Sequence, residues 1–300
     1  MRRNPGKAIS LALALAACGP TGRGNGNGNG PDAGNEPDAN NGGVDGNPNT
    51  DGCSDEAKLI YVVDEGKQLS QFDPKTKTFN DLGTLACPTT ARPFSMAIAR
   101  DATAWVLYDN GDLFRVDTKN NLQCTKSAWV RSTSGLTKFG MGFSTDQAGG
   151  TTDTLFVSGG ASVSDSTSKL ARVDLTSFQP AQVGYVTGWP ELTGTGSAEL
   201  WGFFPGLSSR VVQINKASAA EIKSYRQASL DFDPNASGSS AWAFAFHGGS
   251  FWVFLRKSGE TQTTVYQVST TTGMIVGNSP AAGRSIVGAG VSTCAPVIIL

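Results

Sequence analysis

Short apolar runs recur at regular intervals along the chain after Cys53. They read LIYVVD, AWVLYD, TLFVSG, ELWGFF and SFWVFL, and they align Ile60, Trp105, Phe156, Trp201 and Trp252 in one column, spaced by 45 or 51 residues. Near-continuous apolar runs of this length, bounded by turn residues, are typical of strands buried on both faces. The column therefore predicts five such strands, and the aromatic members are expected to be core residues.

A second strand with apolar and polar positions in alternation follows each of these runs. The five segments are LSQFDP, LFRVDT, LARVDL, VVQINK and VYQVST, which end at Asp73, Asp117, Asp174, Asn215 and Ser269. These side chains can bond to backbone groups two residues further on, so they indicate turns rather than catalysis. Plainer segments that follow them, FNDLGT, LQCTKS, AQVGYV, EIKSYR and GMIVGN, predict outer strands.

A third series of strands carries small residues at one recurring position. Its segments are PFSMAIA, KFGMGFS, ELTGTGS, AWAFAFH and SIVGAGV, with Ala97, Gly142, Thr195, Ala245 and Ala289 at that position. Small side chains suit the crowded axis of a ring of sheets. Four strands in each repeat, with the small-residue strand innermost, predict an all-β fold, a five-bladed β-propeller.

The ring is expected to close through the C-terminal strand. The first unit begins directly with LIYVVD and lacks an inner strand, whereas the segment from Ser285 to Thr293 is a spare one. Pairing the two removes open sheet edges and brings Cys294 close to Cys53. A six-bladed alternative stays open, because the longer third unit, from Phe139 to Leu192, has room for another strand pair.

The N-terminal residues predict an exported lipoprotein. Residues 1–17 combine a cationic start with about ten apolar residues, which is typical of a signal peptide and too short to span a membrane. The sequence LAAC at Leu15 to Cys18 resembles the bacterial lipobox, so Cys18 is expected to be acylated and to hold the protein at a membrane. An ordinary secretory signal is the alternative. Gly19 after the cysteine resembles lipoproteins of the outer membrane, on its periplasmic or cell-surface side.

Residues 18–52 are rich in Gly, Asn, Pro and Asp, and they contain very few apolar residues. Such a segment cannot bury enough surface to fold, so it is expected to be a disordered tether. The propeller domain then comprises residues 53–300. With Cys18 set aside, four cysteines remain in an oxidising compartment, and three pairings are possible. Ring closure favours Cys53–Cys294, which leaves Cys87 to pair with Cys124.

Charge and residue usage exclude several functions. The chain has 24 basic and 25 acidic residues, without the basic excess of proteins that bind nucleic acid, so no nucleic-acid partner is expected. A single histidine, His247, excludes His-based triads and multi-His zinc sites. No phosphate-binding loop of the GxxxxGK[ST] type occurs. We therefore expect no cofactor, no metal site and no catalytic residue.

One mouth of the axial channel is the candidate binding site. Asp101, Asp146 and Glu199 follow inner strands, and His247 ends the AWAFAFH strand. Trp189, with the FFPG run at Phe203, is a candidate stacking platform. Acids and histidine at these positions are equally typical of structural turns. The favoured interpretation is a membrane-tethered, non-catalytic binding or scaffolding module for an envelope protein or glycan. The alternative is a carbohydrate-active hydrolase that uses the three carboxylates at the mouth.

Several segments resemble one family. FGMGF, ELTGTGSAELWGFFPG, AWAFAFHGGSFWVF and IVGAGVSTCAP look like segments of uncharacterised β-propeller lipoproteins of myxobacterial type. Those proteins share the lipobox, the Gly/Asn/Asp tether and the repeat pattern. The resemblance covers nearly the whole chain and implies the same location and architecture. It implies no activity and no catalytic residue.

Overall fold

The computed structural model describes residues 52–162, 166–233 and 236–298, apart from the side chains of residues 132 and 133. The predicted signal peptide, the acylation at Cys18 and the tether up to residue 51 lie outside the described residues. Among the helices that are described, none is long and apolar enough to cross a membrane.

Twenty strands in the described ranges form five antiparallel four-stranded blades. The first blade contains β1 (Ile60–Asp64), β2 (Gln68–Asp73) and β3 (Thr78–Thr84). The second contains β4 (Pro93–Ile98), β5 (Ala104–Tyr108), β6 (Leu113–Asp117) and β7 (Gln123–Lys126). The third contains β8 (Lys138–Thr145), β9 (Asp153–Gly160), β10 (Thr167–Val173) and β11 (Pro180–Thr187).

The two remaining blades follow the same order. The fourth contains β12 (Glu191–Gly194), β13 (Leu200–Phe204), β14 (Arg210–Ile214) and β15 (Glu221–Arg226). The fifth contains β16 (Ala241–His247), β17 (Ser250–Arg256), β18 (Thr264–Ser269) and β19 (Ile275–Pro280). Short helical turns at Glu56–Lys58, Arg131–Ser134 and Ala228–Leu230 lie in the connections.

The five-bladed prediction is confirmed, and so is closure by the C-terminal strand. The last strand, β20 (Ile286–Gly290), pairs with β1 and becomes the inner strand of the first blade. The six-bladed alternative is wrong, because the extra length of the third unit lies in longer strands. Three of its four strands, β8, β9 and β11, have eight residues each.

The hydrophobic core consists of five clusters, each between two neighbouring blades. Residues of β1 show the arrangement: Ile60 and Val62 pack against the fifth blade, whereas Tyr61 and Val63 pack against the second. Side chains alternate across a strand, so the second strand of every blade is apolar on both faces. The predicted column is accordingly buried, with Trp105 7%, Trp201 4% and Trp252 1% exposed.

The inner strands approach one another backbone to backbone around the axis. A Cβ atom added to Gly140 of β8 would lie 2.2 Å from the carbonyl oxygen of Pro190, just before β12. One added to Gly194 of β12 would lie 2.1 Å from the carbonyl oxygen of Phe143 in β8. These distances leave no room for a side chain. They explain why the sequence places small residues on this strand of each repeat.

Both predicted disulfides are present. The Cα atoms of Cys53 and Cys294 are 5.8 Å apart, and those of Cys87 and Cys124 are 5.0 Å apart, both within the usual range of about 4.4–6.8 Å. The Cys53–Cys294 bond joins the two ends of the ring. The Cys87–Cys124 bond joins the connection before β4 to the outer strand β7 of the second blade.

Candidate functional site

The ring has two faces, which differ in what covers the axis. We call the face where the inner strands end the closure face, because residues 53–59 and 291–298 meet there. Ser292 Oγ donates a hydrogen bond to the carbonyl oxygen of Ala57 (2.7 Å), and the N–H of Gly248 donates to that of Pro296 (2.7 Å). We call the face where the inner strands begin the opening face. A pocket lies on the axis of the propeller at this face.

The three carboxylates of the predicted mouth lie in turns of the closure face. Each accepts hydrogen bonds within its own blade: Asp101 from the N–H of Thr103 (2.9 Å) and Asp146 from the hydroxyl of Thr154 (2.6 Å). Glu199 accepts from the indole N–H of Trp201 (3.0 Å) and from the amide of Gln213 (3.2 Å) in the fourth blade. These hydrogen bonds give the three acids structural roles in turns and strand pairs. Structural turns were the alternative that the sequence left open for them.

His247 is also part of the closure. Its Nε2 lies 3.1 Å from the carbonyl oxygen of Lys58, so Nε2 carries the proton and donates it. Burial lowers the pKa of the imidazole, which favours this neutral form. The imidazole of His247 therefore connects the fifth blade to the segment that leads into β1.

The aromatic candidates lie elsewhere. Trp189 is half-buried in the connection between β11 and β12, at the opening face, so the structure does not bring it together with His247 or the three carboxylates. The stacking platform predicted at the FFPG run is wrong. Phe203 and Phe204 are 0% and 1% exposed and belong to the core between blades.

A pocket of about 410 Å³ opens on the closure face between the second and third blades, beside Gly52. Arg100 and Asp153 form an ion pair in it, with Nε and Oδ2 3.1 Å apart and side chains only 13% and 7% exposed. Asp153 also accepts a hydrogen bond from the hydroxyl of Thr293 (2.6 Å), and Arg100 Nη1 lies 3.4 Å from Cys53 Sγ. These contacts join two blades to both ends of the propeller, so the pair stabilises the closure.

The opening face holds a pocket of about 350 Å³ on the ring axis. Each blade supplies it with the first or second residue of its inner strand: Phe94, Lys138, Glu191, Trp242 and Val287. Every blade therefore contributes a side chain to one site.

The order of the blades gives this opening pocket two unlike halves. Trp242, Val287 and Phe94 come from the fifth, first and second blades, which are consecutive in the ring, and they form an apolar half. Lys138 and Glu191 come from the third and fourth blades and form a polar half. The ammonium of Lys138 lies 5.5 Å from the ring centroid of Phe94, where the two halves meet.

Glu191 is the most buried ionisable group of the opening pocket, with only 3% of the residue exposed. The hydroxyl of Ser95 donates a hydrogen bond to its Oε2 (2.7 Å), and the backbone N–H of Met141 donates another. The carboxyl group thus connects the second, third and fourth blades. Burial outweighs these hydrogen bonds and raises the pKa of Glu191 well above its ordinary value.

The rim of the opening pocket carries charges of both signs. Glu65 accepts a hydrogen bond from Arg256 (2.8 Å), which is 9% exposed, and Arg92 and Asp109 lie on the same rim. Among the residues that the structure describes, no three His, Cys, Asp or Glu side chains are arranged to hold a metal ion. The pocket can therefore offer stacking, apolar contact and hydrogen bonds to a ligand.

The sequence contains one sign of this pocket, which the predicted mouth did not include. Glu191 opens the inner strand ELTGTGS, in a series of strands whose other positions hold mainly small or apolar residues. An acid at the start of a strand that lines the axis is a candidate for a site, because a buried charge is costly unless it is paired or hydrogen-bonded. Lys138 is likewise a charged first residue, in KFGMGFS, whereas Trp242 carries no comparable sign, since its position at the mouth depends on the ring.

Comparison with known proteins does not assign a family. No family model matches the chain, and no curated protein matches its sequence. Among solved structures, a protein of unknown function from Bacteroides caccae has a TM-score of 0.44 and 11% identity, covering 77% of this chain and 97% of that one. The putative TolB from Agrobacterium tumefaciens has a TM-score of 0.42 and 12% identity, covering 72% and 68%.

A third structure, the hydrazine synthase of Kuenenia stuttgartiensis, has a TM-score of 0.40 and 16% identity over 66% of this chain. The chain spans 51% of the length of that protein. Similarities at this level carry no functional argument. The strand order of the five blades defines the class of this chain, a five-bladed β-propeller.

Proposed function

We propose that this chain is an envelope lipoprotein, anchored through an acylated Cys18, whose propeller is a non-catalytic binding or scaffolding module. The ligand is an envelope protein or glycan that engages the opening pocket. The observation that carries the proposal is that each of the five blades gives this pocket one side chain. Concave sites with apolar walls and a few polar groups are the usual places for ligands. The lipobox at Cys18 supports the anchor, and Gly19 supports an outer-membrane location.

Binding is better supported than hydrolysis. A glycoside hydrolase needs two carboxyl groups that flank the bond to be cleaved. Asp101, Asp146 and Glu199 each accept hydrogen bonds inside their own blades, on the closure face, where residues 53–59 and 291–298 meet. Their oxygen atoms therefore have structural partners already.

The purified full chain, incubated with arrays of envelope glycans and with envelope extracts, tests the binding site. Ser240→Trp places a bulky side chain on the rim of the opening pocket and should lower retention of the ligand at least tenfold. Asp101→Ala is the matched control on the closure face and should leave retention unchanged. If Asp101→Ala loses the ligand while Ser240→Trp retains it, the ligand binds at the mouth expected from the sequence, and the proposal is overturned.

Acylation has a separate test. Cells that express the full chain and receive labelled palmitate should incorporate the label into this protein. The Cys18→Ser variant should contain none. Label in that variant would contradict anchoring through Cys18.

A further inference from the structure

The opening pocket suggests a class of ligand. Its volume of about 350 Å³ is near the lower end of the range for ligand pockets, about 300–1,000 Å³. It suits a small molecule, or one terminal unit of a larger one. The two halves of the pocket then restrict the chemistry of that unit.

The apolar half contains the aromatic ring of Trp242, which packs against a phenylalanine that does not line the pocket. Trp242 is half-buried, and its ring packs against Phe232, with ring centroids 6.2 Å apart. Phe232 itself is only 8% exposed. A supported indole at the wall of a pocket is suited to contact with the flat apolar face of a ligand. Val287 extends this surface toward Phe94.

The polar half offers both donors and acceptors. The carboxyl of Glu191 lies next to the Ser95 hydroxyl, and the ammonium of Lys138 stands over the ring of Phe94. A ligand that presents hydroxyl groups along one edge can donate to Glu191 and accept from Lys138. An apolar group there would remove water from the ammonium of Lys138 without replacing its hydrogen bonds, and would give the Glu191 carboxyl no partner beyond Ser95 and Met141, which is unfavourable.

The charges around the pocket do not select an ionic ligand. Arg92 and Lys138 are basic and Asp109 and Glu65 are acidic, so the pocket presents charges of both signs, and the raised pKa of Glu191 favours its uncharged form. Glu65 is in addition paired with Arg256. A cation would meet Lys138 and Arg92, and an anion would meet Asp109. A neutral ligand encounters neither repulsion.

We propose that the opening pocket takes a neutral saccharide unit, stacked against Trp242 and hydrogen-bonded along its opposite edge by Glu191 and Lys138. This assignment rests on the proposed binding function and adds the ligand class to it. A sugar ring has the required combination of an apolar face and a hydroxyl edge.

Isothermal titration of the full chain tests the assignment. The probes are neutral mono- and disaccharides of glucose, galactose and N-acetylglucosamine, with acidic and basic pentapeptides as the alternative class. At least one saccharide should bind, and its Kd should change less than twofold between low and high salt, because no ion pair forms. Trp242→Ala should weaken binding about tenfold, and Trp242→Phe, which keeps a ring, about threefold.

Trp189→Ala is the matched control, since Trp189 is a half-buried tryptophan on the same face that does not line the pocket. It should leave the Kd unchanged, and thermal unfolding of each variant should establish that it is folded. Binding of a peptide and no saccharide, with loss in Trp242→Ala, would overturn the ligand class and leave the binding function standing. If no probe binds and Ser240→Trp retains all envelope ligands, both proposals are wrong.

Discussion

Removing the disulfide at the ring closure should destabilise the protein more than removing the other disulfide. The bond Cys53–Cys294 closes a loop with a sequence separation of 241, whereas Cys87–Cys124 closes one of 37. In the loop-entropy model, a cross-link stabilises the folded state by restricting the unfolded chain, by an amount that rises linearly with the logarithm of loop length. The model gives about 5.5 kcal/mol for the long loop and about 3.8 kcal/mol for the short one at 25 °C. The difference, about 1.7 kcal/mol, depends only on the ratio of the two separations.

We expect the folded state to keep its other closure contacts when the long-range bond is absent. In the wild type β20 pairs with β1, and His247 donates to the carbonyl oxygen of Lys58, and neither contact involves the disulfide. The variant Cys53→Ser/Cys294→Ser should therefore remain a propeller with a lower free energy of unfolding. In the loop-entropy model, the loss then arises mainly in the unfolded chain.

Urea unfolding of the full chain, followed by tryptophan fluorescence, provides the measurement. The variant Cys53→Ser/Cys294→Ser is compared with Cys87→Ser/Cys124→Ser at one pH and temperature. The comparison uses the extrapolated free energy of unfolding rather than the midpoint, since removing a cross-link also changes the denaturant slope. An equal or smaller loss for the closure variant would refute the reasoning, because it would mean that the loop length does not set the contribution.

Three further predictions concern single side chains. The wild type should lose stability as the pH rises above about 4.3, because the folded protein holds a proton on Glu191 that the unfolded chain releases. Glu191→Gln should remove this loss. Equal slopes of unfolding free energy against pH in the variant and the wild type between pH 4 and 7 would contradict this. His247 should have the opposite effect: the wild type should lose stability as the pH falls below about 6.5, since burial lowers the pKa of the imidazole. His247→Gln should reduce this loss, which thermal unfolding from pH 7 to 5 measures. An equally large loss of stability in the variant would count against the prediction. Tyr108→Phe should raise the free energy of unfolding by about 1 kcal/mol, because among the described residues the buried phenol hydroxyl has no hydrogen-bond partner; destabilisation in urea would show that the hydroxyl contributes to folding.

The fold could be predicted from the sequence because each blade repeats one set of local requirements. The second strand must be apolar on both faces, as at Ile60 and Val62 against one neighbour and Tyr61 and Val63 against the other. The third strand must end in a turn, as at Asp73, whose carboxylate accepts from the N–H of Lys75 (2.8 Å). Such requirements leave a pattern in a single chain. The missing first inner strand then indicated closure and the pairing of the cysteines.

The position of the opening pocket could not be predicted in this way. Its five side chains are separated by up to nearly two hundred residues, from Phe94 to Val287, and no spacing rule connects them. The sequence placed the mouth where the inner strands end, at Asp101 and His247. Ring closure predicted that Cys53 and Cys294 meet near that face, but the sequence contained no sign that the imidazole of His247 bonds there to Lys58.

Packing at the axis explains why a site in this propeller has to lie at an end of the ring. At Gly140 and Gly194 the inner strands are so close that even a Cβ atom would overlap a neighbouring carbonyl oxygen. Side chains can therefore enter the axis only above or below this level. On the closure face, the segments that contain Ala57 and Ser292 already bond to each other. On the opening face, by contrast, the first residues of the inner strands diverge around a pocket. Glu191 lies at the boundary between the close-packed level and the pocket, which is why it is buried and still lines the site.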